Sequence, residues 1–391
     1  MSLRTNFHTI VLGLGGVGAG AAYWLSRRIG GDVLGLEQFE LFHGRGESQD
    51  HSRIIRHSYH TPNYVELTKG AYNAWQALEG ELGRKLILKT GGLDFGPRVG
   101  AVINLQDYSD SMAACGIAYE YLDAHEIMHR FPQFALTDDI HGLYQADGGI
   151  APAALCNAEH VQMARAHGAV LVDGAPVTGI EDNAGEIQVS TRDITYTCQK
   201  LVIAAGPWSN TALSHLGLKL PLAISREQVL YFDSPYKTEF APEKFPVWIW
   251  LDEPCFYGFP VFGEPAVKVA QDCGGYETTA EARNFDPDPA NAQRVIDFTT
   301  RYLPRAMGKL HLLKTCLYTL TPDRDFVIDT LPDHPNISIA IGAGHAFKFA
   351  SLLGKVLSEL ALDGATSSNI SEFKISREIL AMDNPPVNYM V

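Results

Sequence analysis

A strand, a glycine-rich turn, a helix and a second strand ending in an acid follow one another within the first forty residues. The first strand reads His8-Thr9-Ile10-Val11-Leu12 and the turn Gly13-Leu14-Gly15-Gly16-Val17-Gly18. The second strand is Val33-Leu34-Gly35-Leu36, followed by Glu37. In such a unit Gly13 permits the tight turn, Gly15 lets the backbone approach a phosphate, and Gly18 lets helix and strand pack closely. The helix start offers unpaired N–H groups and a positive dipole end to an anion. Glu37 stands where a carboxylate can accept hydrogen bonds from ribose hydroxyls. A bare glycine fingerprint is weak, but strand, helix and terminal acid fall in register here, so a dinucleotide cradle is expected. The competing reading is an empty α/β turn with chance glycines.

The 391 residues suit two domains or one large composite domain. A net charge of −14 argues against nucleic-acid or anionic-membrane partners, since both need a basic face. A local arginine and lysine cluster can still serve an anionic small molecule. No apolar run approaches the ~20 residues that span a bilayer. The amino terminus lacks a charged-then-apolar leader, and Asn388-Tyr389-Met390-Val391 carries no peroxisomal or lipidation signal. Cys115, Cys156, Cys198, Cys255, Cys273 and Cys316 form no CxxC pair. That pattern points to a reducing compartment, cytoplasm by default, and away from a disulfide framework or a metal site.

Helical periodicity predicts helices over 64–82, 101–115, 124–131 and 152–167, the last with Pro152 at its first position. Val170-Leu171-Val172, Ile187-Gln188-Val189 and Tyr196-Thr197-Cys198 read as strands. The apolar strand through Lys200-Leu201-Val202-Ile203 ends in Ala204-Ala205-Gly206, where it can lie against the first glycine turn. From 221 to 320 aromatics and prolines alternate with short β-like runs, which predicts an antiparallel sheet. The nucleotide pattern then returns, with a strand over 336–341, the turn Gly342-Ala343-Gly344-His345 and a helix over 347–362. The expected fold is α/β (α+β) with two domains. Residues 1–88, 150–220 and 322–391 make a Rossmann-like dinucleotide-binding domain, and 89–149 with 221–321 make a mainly antiparallel substrate domain.

A nicotinamide dehydrogenase would run from its first βαβ unit into further parallel strands. This chain inserts Ser52-Arg53-Ile54-Ile55-Arg56-His57 instead. With Tyr257-Gly258-Phe259-Pro260, Thr315-Cys316-Leu317-Tyr318-Thr319 and Gly344-His345-Ala346-Phe347-Lys348-Phe349, it resembles the monomeric sarcosine oxidase and N-methyltryptophan oxidase family of FAD-dependent amino-acid oxidases. Pipecolate and piperideine carboxylate oxidases are related. The resemblance covers nearly the whole chain. It implies a monomer with FAD joined through its 8α-methyl to the sulfur of Cys316. The attack needs a thiolate, hence surroundings that lower the thiol pKa.

The resemblance also implies oxidation of a secondary amino acid, N-methyl or cyclic, to an imine, with O2 reoxidising the flavin to give H2O2. Arg56 and Lys348 match positions that bind the substrate carboxylate, the first as a bidentate fork and the second as a point charge; the other readings are a solvated or structural ion pair for Arg56 and a solvated helix residue for Lys348. Lys268 matches the oxygen-activating lysine, whose cation would stabilise developing negative charge. An inward-facing lysine in an apolar strand needs a partner, and the other reading places Lys268 outward on an edge strand. Arg53 and Ser52 match flavin-adjacent positions, as does Gly342. Tyr257 and Tyr318 match tyrosines that wall the substrate, or else simply pack in the core. His345 either touches flavin or substrate or caps its turn.

Asp272 departs from the family, whose sarcosine-type members carry a histidine four residues after the lysine. An acid there can bind an amine or a polar tail, or accept a proton, and it argues against simple sarcosine as the best substrate. Glu47 also departs, standing where a small residue is usual, and is expected to turn away from the pyrophosphate. Three other readings stand beside the oxidase: an amine dehydrogenase or demethylase of the same fold, a flavoprotein without turnover, and a NAD-binding protein.

Overall fold

Strands buried on both faces carry near-continuous apolar runs, and four such runs, over 10–12, 33–36, 201–203 and 337–341, meet in one sheet. The computed structural model describes residues 4–183 and 185–388, so Tyr389, Met390 and Val391 of the terminal tetrapeptide lie outside the described residues. Strands His334–Ile341, Thr195–Ile203, Asn6–Leu12, Val33–Leu36 and Val170–Val172 lie side by side and parallel. Val327–Leu331 closes one edge antiparallel. Helices Gly16–Ile29, Ala153–Ala166 and Ala350–Asp363 pack together beside this sheet.

Four details differ from the sequence reading. The runs at 196–198 and 200–203 form one continuous strand, Thr195–Ile203, whose first half also pairs antiparallel with Glu186–Thr191. That ribbon ends in Val177–Asn183, which sequence patterning misses because only Ile180 along it is buried. Pro152 is the N-cap of its helix, one position before the expected place. The last helix starts at Ala350, since Ala346–Phe349 forms a tighter 3-10 turn held by the Trp75 indole N–H on the Lys348 carbonyl.

The second large sheet is mainly antiparallel, with one parallel pair, Gly92–Pro97 with Val247–Trp250. Strand Ala223–Asp233 pairs with Val267–Gln271 and Tyr276–Thr278 on one side and Lys309–Leu320 on the other. Leu230, Phe232, Val267, Val269, Trp248 and Trp250 share a face that packs on Val295 and Phe298 of helix Pro289–Tyr302. That helix interrupts the stretch read as β-textured. Asp288 caps it by accepting from the Ala290 and Asn291 N–H groups, with Pro289 at its first position. Strand alternation turns Val229, Tyr231, Tyr257, Lys268, Lys314, Cys316 and Tyr318 to the opposite face.

A third, three-stranded sheet joins Arg53–Ile55, Gly149–Ala151 and Leu88–Lys89 where the chain crosses between the two large sheets. Among the described residues no helix is long and apolar enough to cross a membrane.

Candidate active site

A cavity of about 520 Å³ lies between the two large sheets. Gly13, Gly15 and Glu37 line one end, and Arg56, Tyr257, Tyr318, Asp272 and Lys348 the other, with Arg53, Gly342 and His345 also on the wall. Gly13 has φ +85°, and a Cβ there would lie 2.5 Å from the Ala204 carbonyl oxygen. A Cβ on Gly18 would lie 1.8 Å from the Gly13 oxygen, so only glycine at both positions closes this turn. The following helix has Gly15 as N-cap with no side-chain acceptor and no acid in its first turn. Ser48 accepts the Gly16 N–H at 2.7 Å.

Glu37 is buried, with Oε2 accepting from the Leu14 N–H at 2.9 Å and Oε1 from the Phe39 N–H at 3.1 Å. His43 Nε2 stands 3.3 Å away. Burial opposes ionisation, but His43 and the two amides outweigh it and hold the carboxyl below its usual range. A carboxylate has about four acceptor sites, so the pinned group keeps capacity for hydroxyls. Glu47 directs Oε1 to the Thr319 N–H across the cavity wall, and burial pushes its pKa up to about 7.

The other end is crowded with cations. Arg56 is buried and donates from Nη1 to Asp94 Oδ2 at 2.8 Å, beneath the Tyr59 ring. Arg324 grips both oxygens of Asp272, at 2.7 and 3.0 Å. Lys348 Nζ donates to the Tyr59 hydroxyl at 2.8 Å and the His345 carbonyl at 3.0 Å. Among the described residues it has no carboxylate within ion-pair distance. Burial, Arg56 and Arg324 together hold its pKa well below the ordinary lysine value. Two of the three cations are thus matched by acids, and the third is a site for an anion.

His345 is tied down, with Nδ1 on the Tyr59 hydroxyl at 3.2 Å and Nε2 on the Arg324 carbonyl at 3.0 Å. Burial keeps its imidazole neutral. Gly344, at φ +80°, lets this turn press on Tyr318, because a Cβ there would meet that ring at 2.8 Å.

Lys268, Ser52, Cys316 and Gly18 sit directly behind the wall instead of lining it. Lys268 lies on an interior strand and is buried, which removes the outward-facing reading. Its Nζ donates to Asp50 Oδ2 at 2.7 Å and to the carbonyl and hydroxyl of Ser52 at 3.1 and 3.2 Å. Arg53 donates to the Ser52 and Glu47 carbonyls, both at 2.9 Å. Cys316 sits between the lining residues Lys314 and Tyr318 on the cavity-facing side of its strand. Burial pushes its thiol up to about 11, against the pull of Arg53 and Lys268. The resting sulfur is a thiol, contrary to the thiolate that tethering requires.

Asp50, Asp94, Tyr59, Lys314 and Arg324 went unnoticed in the sequence. Asp94 did carry a signal, an acid inside the apolar run Leu93-Asp94-Phe95 that demands a buried partner. Asp50 carried none.

A model described as FAD dependent oxidoreductase matches residues 8–360. The chain belongs to that family. It is 35% identical over 388 residues to a monomeric sarcosine oxidase of Streptomyces avermitilis, covering 95% of this chain and 97% of that protein. It is 29% identical to an N-methyl-L-tryptophan oxidase of Salmonella heidelberg, over 95% of this chain and 99% of that one. The structure of NikD, an amino acid oxidase essential for nikkomycin biosynthesis, superposes with a TM-score of 0.82 at 28% identity, covering 95% of this chain and 98% of that chain. In this oxidoreductase the residues fit FAD. The helix end, whose N-cap Gly15 brings no side-chain acceptor, offers N–H groups to a diphosphate, Glu37 keeps acceptor capacity for a ribose, and the cavity leads on to the tyrosine-walled end.

Proposed function

We propose that this FAD-dependent oxidoreductase oxidises a small secondary amino acid, N-methylated or cyclic, at its C–N bond and uses O2 as electron acceptor. The observation that carries this reading is the buried Lys348 side chain, without a carboxylate partner among the described residues, beside Arg56 in a tyrosine-walled cavity. Bound at this site, FAD would supply the two-electron chemistry by which the amine loses a hydride and a proton to become an imine that water hydrolyses, and O2 takes two electrons and two protons to leave as H2O2.

The chain's own groups do the rest. Lys348 and the N–H donors that Arg56 retains beyond Asp94 hold the substrate carboxylate. Tyr257 and Tyr318 wall the reacting carbon from water. Asp272, oriented by both arms of Arg324, presents a carboxylate where sarcosine-type relatives carry a histidine, and meets a substrate amine or polar side chain. The Lys268 ammonium and the Arg53 guanidinium favour negative charge developing on oxygen. Gly13 and Gly15 receive the diphosphate on the turn that Gly18 allows to close, Glu37 takes the ribose, and Ser52, Gly342 and His345 support the ring. Cys316 would tie the ring covalently: its sulfur gives up the thiol proton and bonds to the 8α-methyl carbon, which loses a hydrogen while the ring takes up the electron pair and yields it to O2. The enzyme works as a cytoplasmic monomer.

One observation favours a second reading, an amine dehydrogenase that delivers electrons to a carrier: Lys268 stands behind Asp50 instead of facing the cavity. A single experiment separates the two. N-methyl and cyclic amino acids are mixed anaerobically with the yellow protein, and air is then admitted. The oxidase bleaches, then recovers its colour with stoichiometric H2O2, and loss of Lys268 slows the recovery but not the bleaching. Bleaching without recovery in air makes it a dehydrogenase. A protein that no secondary amino acid bleaches refutes both.

A further inference from the structure

Asp50 is a buried acid in a position that disfavours a side chain. Its φ is +82°, in the left-handed region where glycine is at ease and aspartate is tolerated. Every contact of its carboxylate reaches a different strand of the second large sheet. Oδ2 accepts from Lys268 Nζ at 2.7 Å, Oδ1 from Lys314 Nζ at 3.0 Å, and the Tyr231 hydroxyl lies 2.9 Å from both. Asp50 and Lys314 line the cavity, and Lys268 is immediately behind them. A carboxylate on the wall of a site that must stabilise negative charge has the wrong sign for that task. It makes sense only through the cation it holds.

That cation is badly placed by itself. Lys268 lies 4.6 Å from the centre of the Phe259 ring, is 2% exposed, and has Arg53 as a like-charged neighbour. Burial and a nearby guanidinium both expel a proton from an ammonium. We infer that Asp50 is a positioning residue that keeps the Lys268 side chain charged and aimed at the cavity wall, and so sets the pH range over which the reduced enzyme reacts with oxygen. This rests on the oxygen role proposed for Lys268.

The charged and titratable groups facing the pair are Arg53 from strand Arg53–Ile55, Lys314 and Cys316 from Lys309–Leu320, and Tyr231 from Ala223–Asp233. Glu264 pairs with Lys314 at 3.9 Å and also meets His51 and His311. Burial brings Lys268 down to about 8, with Asp50 opposing the fall and Arg53 adding to it. Removing Asp50 therefore lowers that value. Removing Lys314, which competes for the same carboxylate, raises it.

The test follows reoxidation of the dithionite-reduced holoenzyme by O2 in a stopped-flow instrument between pH 6 and pH 9.5. The absorption spectrum of the oxidised flavin, titrated over the same range, reports the change of charge without turnover. In the natural enzyme both are expected to change at about pH 8. In Asp50→Asn both transitions move down by at least one unit. The charged fraction at pH 8 then falls from about a half to about a tenth, a roughly fivefold loss of rate recovered at pH 6. In Lys314→Met both move up. A damaged fold would lower the rate at every pH and would not displace the two variants in opposite directions.

Transitions that stay in place in Asp50→Asn overturn the inference, and so does a rate that pH 6 does not restore. Should that variant not fold, Lys314→Met decides alone, an upward move supporting and an unmoved transition refuting. Lys268→Met separates the two levels. Undiminished reoxidation there removes the oxygen role of Lys268 and the inference with it. Loss of reoxidation there, with unmoved transitions in Asp50→Asn, removes only the role of Asp50.

Discussion

Lys348 is the side chain on which substrate charge is read. Burial, Arg56 and Arg324 all lower its pKa, so raising the pH strips its proton well below the ordinary lysine value of about 10.4. An anion binds the charged form. The Kd of a non-oxidisable carboxylate such as propionate, read from flavin absorbance, should therefore rise about tenfold per pH unit above that depressed value. Lys348→Met should abolish this limb and weaken binding at neutral pH roughly ten- to a hundredfold, as expected for losing a hydrogen bond from a charged donor. Binding that stays pH-independent in the natural enzyme would place the carboxylate elsewhere. At this scale the sequence was partly legible. Lys348 was legible only through the family resemblance, whereas Lys268 and Arg56 stood out because a cation in an apolar or flavin-adjacent setting needs a reason. Their counter-anions did not. Asp50 and Asp94 come from a loop and a remote strand, and only folding brings them to Lys268 and Arg56.

Elements were easier to read than contacts, because periodicity is local. Helix Gly16–Ile29 and the strands on either side fell where glycine, apolar run and acid placed them. The helix Pro289–Tyr302 was overlooked because its apolar residues, Val295 and Phe298 among them, are spaced sparsely between polar ones, although Asp288-Pro289 announces its start. Two substitutions test what these elements do. Asp288→Ala should cost about 1 kcal/mol and lower the Tm by about 1 °C in a chain of this length, with flavin content unchanged. Gly18→Val, which drives a side chain into the Gly13 carbonyl, should give a protein that purifies without colour. A yellow Gly18→Val protein would show that the glycine turn does not carry the diphosphate.

At the scale of the whole molecule, FAD spans both large sheets in the proposed arrangement, its diphosphate on one and its ring tied to Cys316 on the other. A tether removes the ligand from mass action, whereas reversible binding adds about 4 kcal/mol at a thousandfold excess over Kd. The natural enzyme should therefore melt at a temperature indifferent to added FAD and keep its colour in an acid precipitate. Cys316→Ala should release the colour to the supernatant and show a Tm that climbs with added FAD. Colour that stays with the Cys316→Ala precipitate would place the bond on another residue.

The first strand, Asn6–Leu12, takes its neighbours from Val33–Leu36 and from Thr195–Ile203, and the first helix seats against Ala350–Asp363. A ribosome that has made the opening module has thus made something it cannot yet close. Until some three hundred further residues emerge, the nascent chain displays an apolar helix flank with no cover. Synthesis of this enzyme is therefore a long exposure, and its yield in a cell should depend on holdase chaperones that guard the unfinished amino-terminal half.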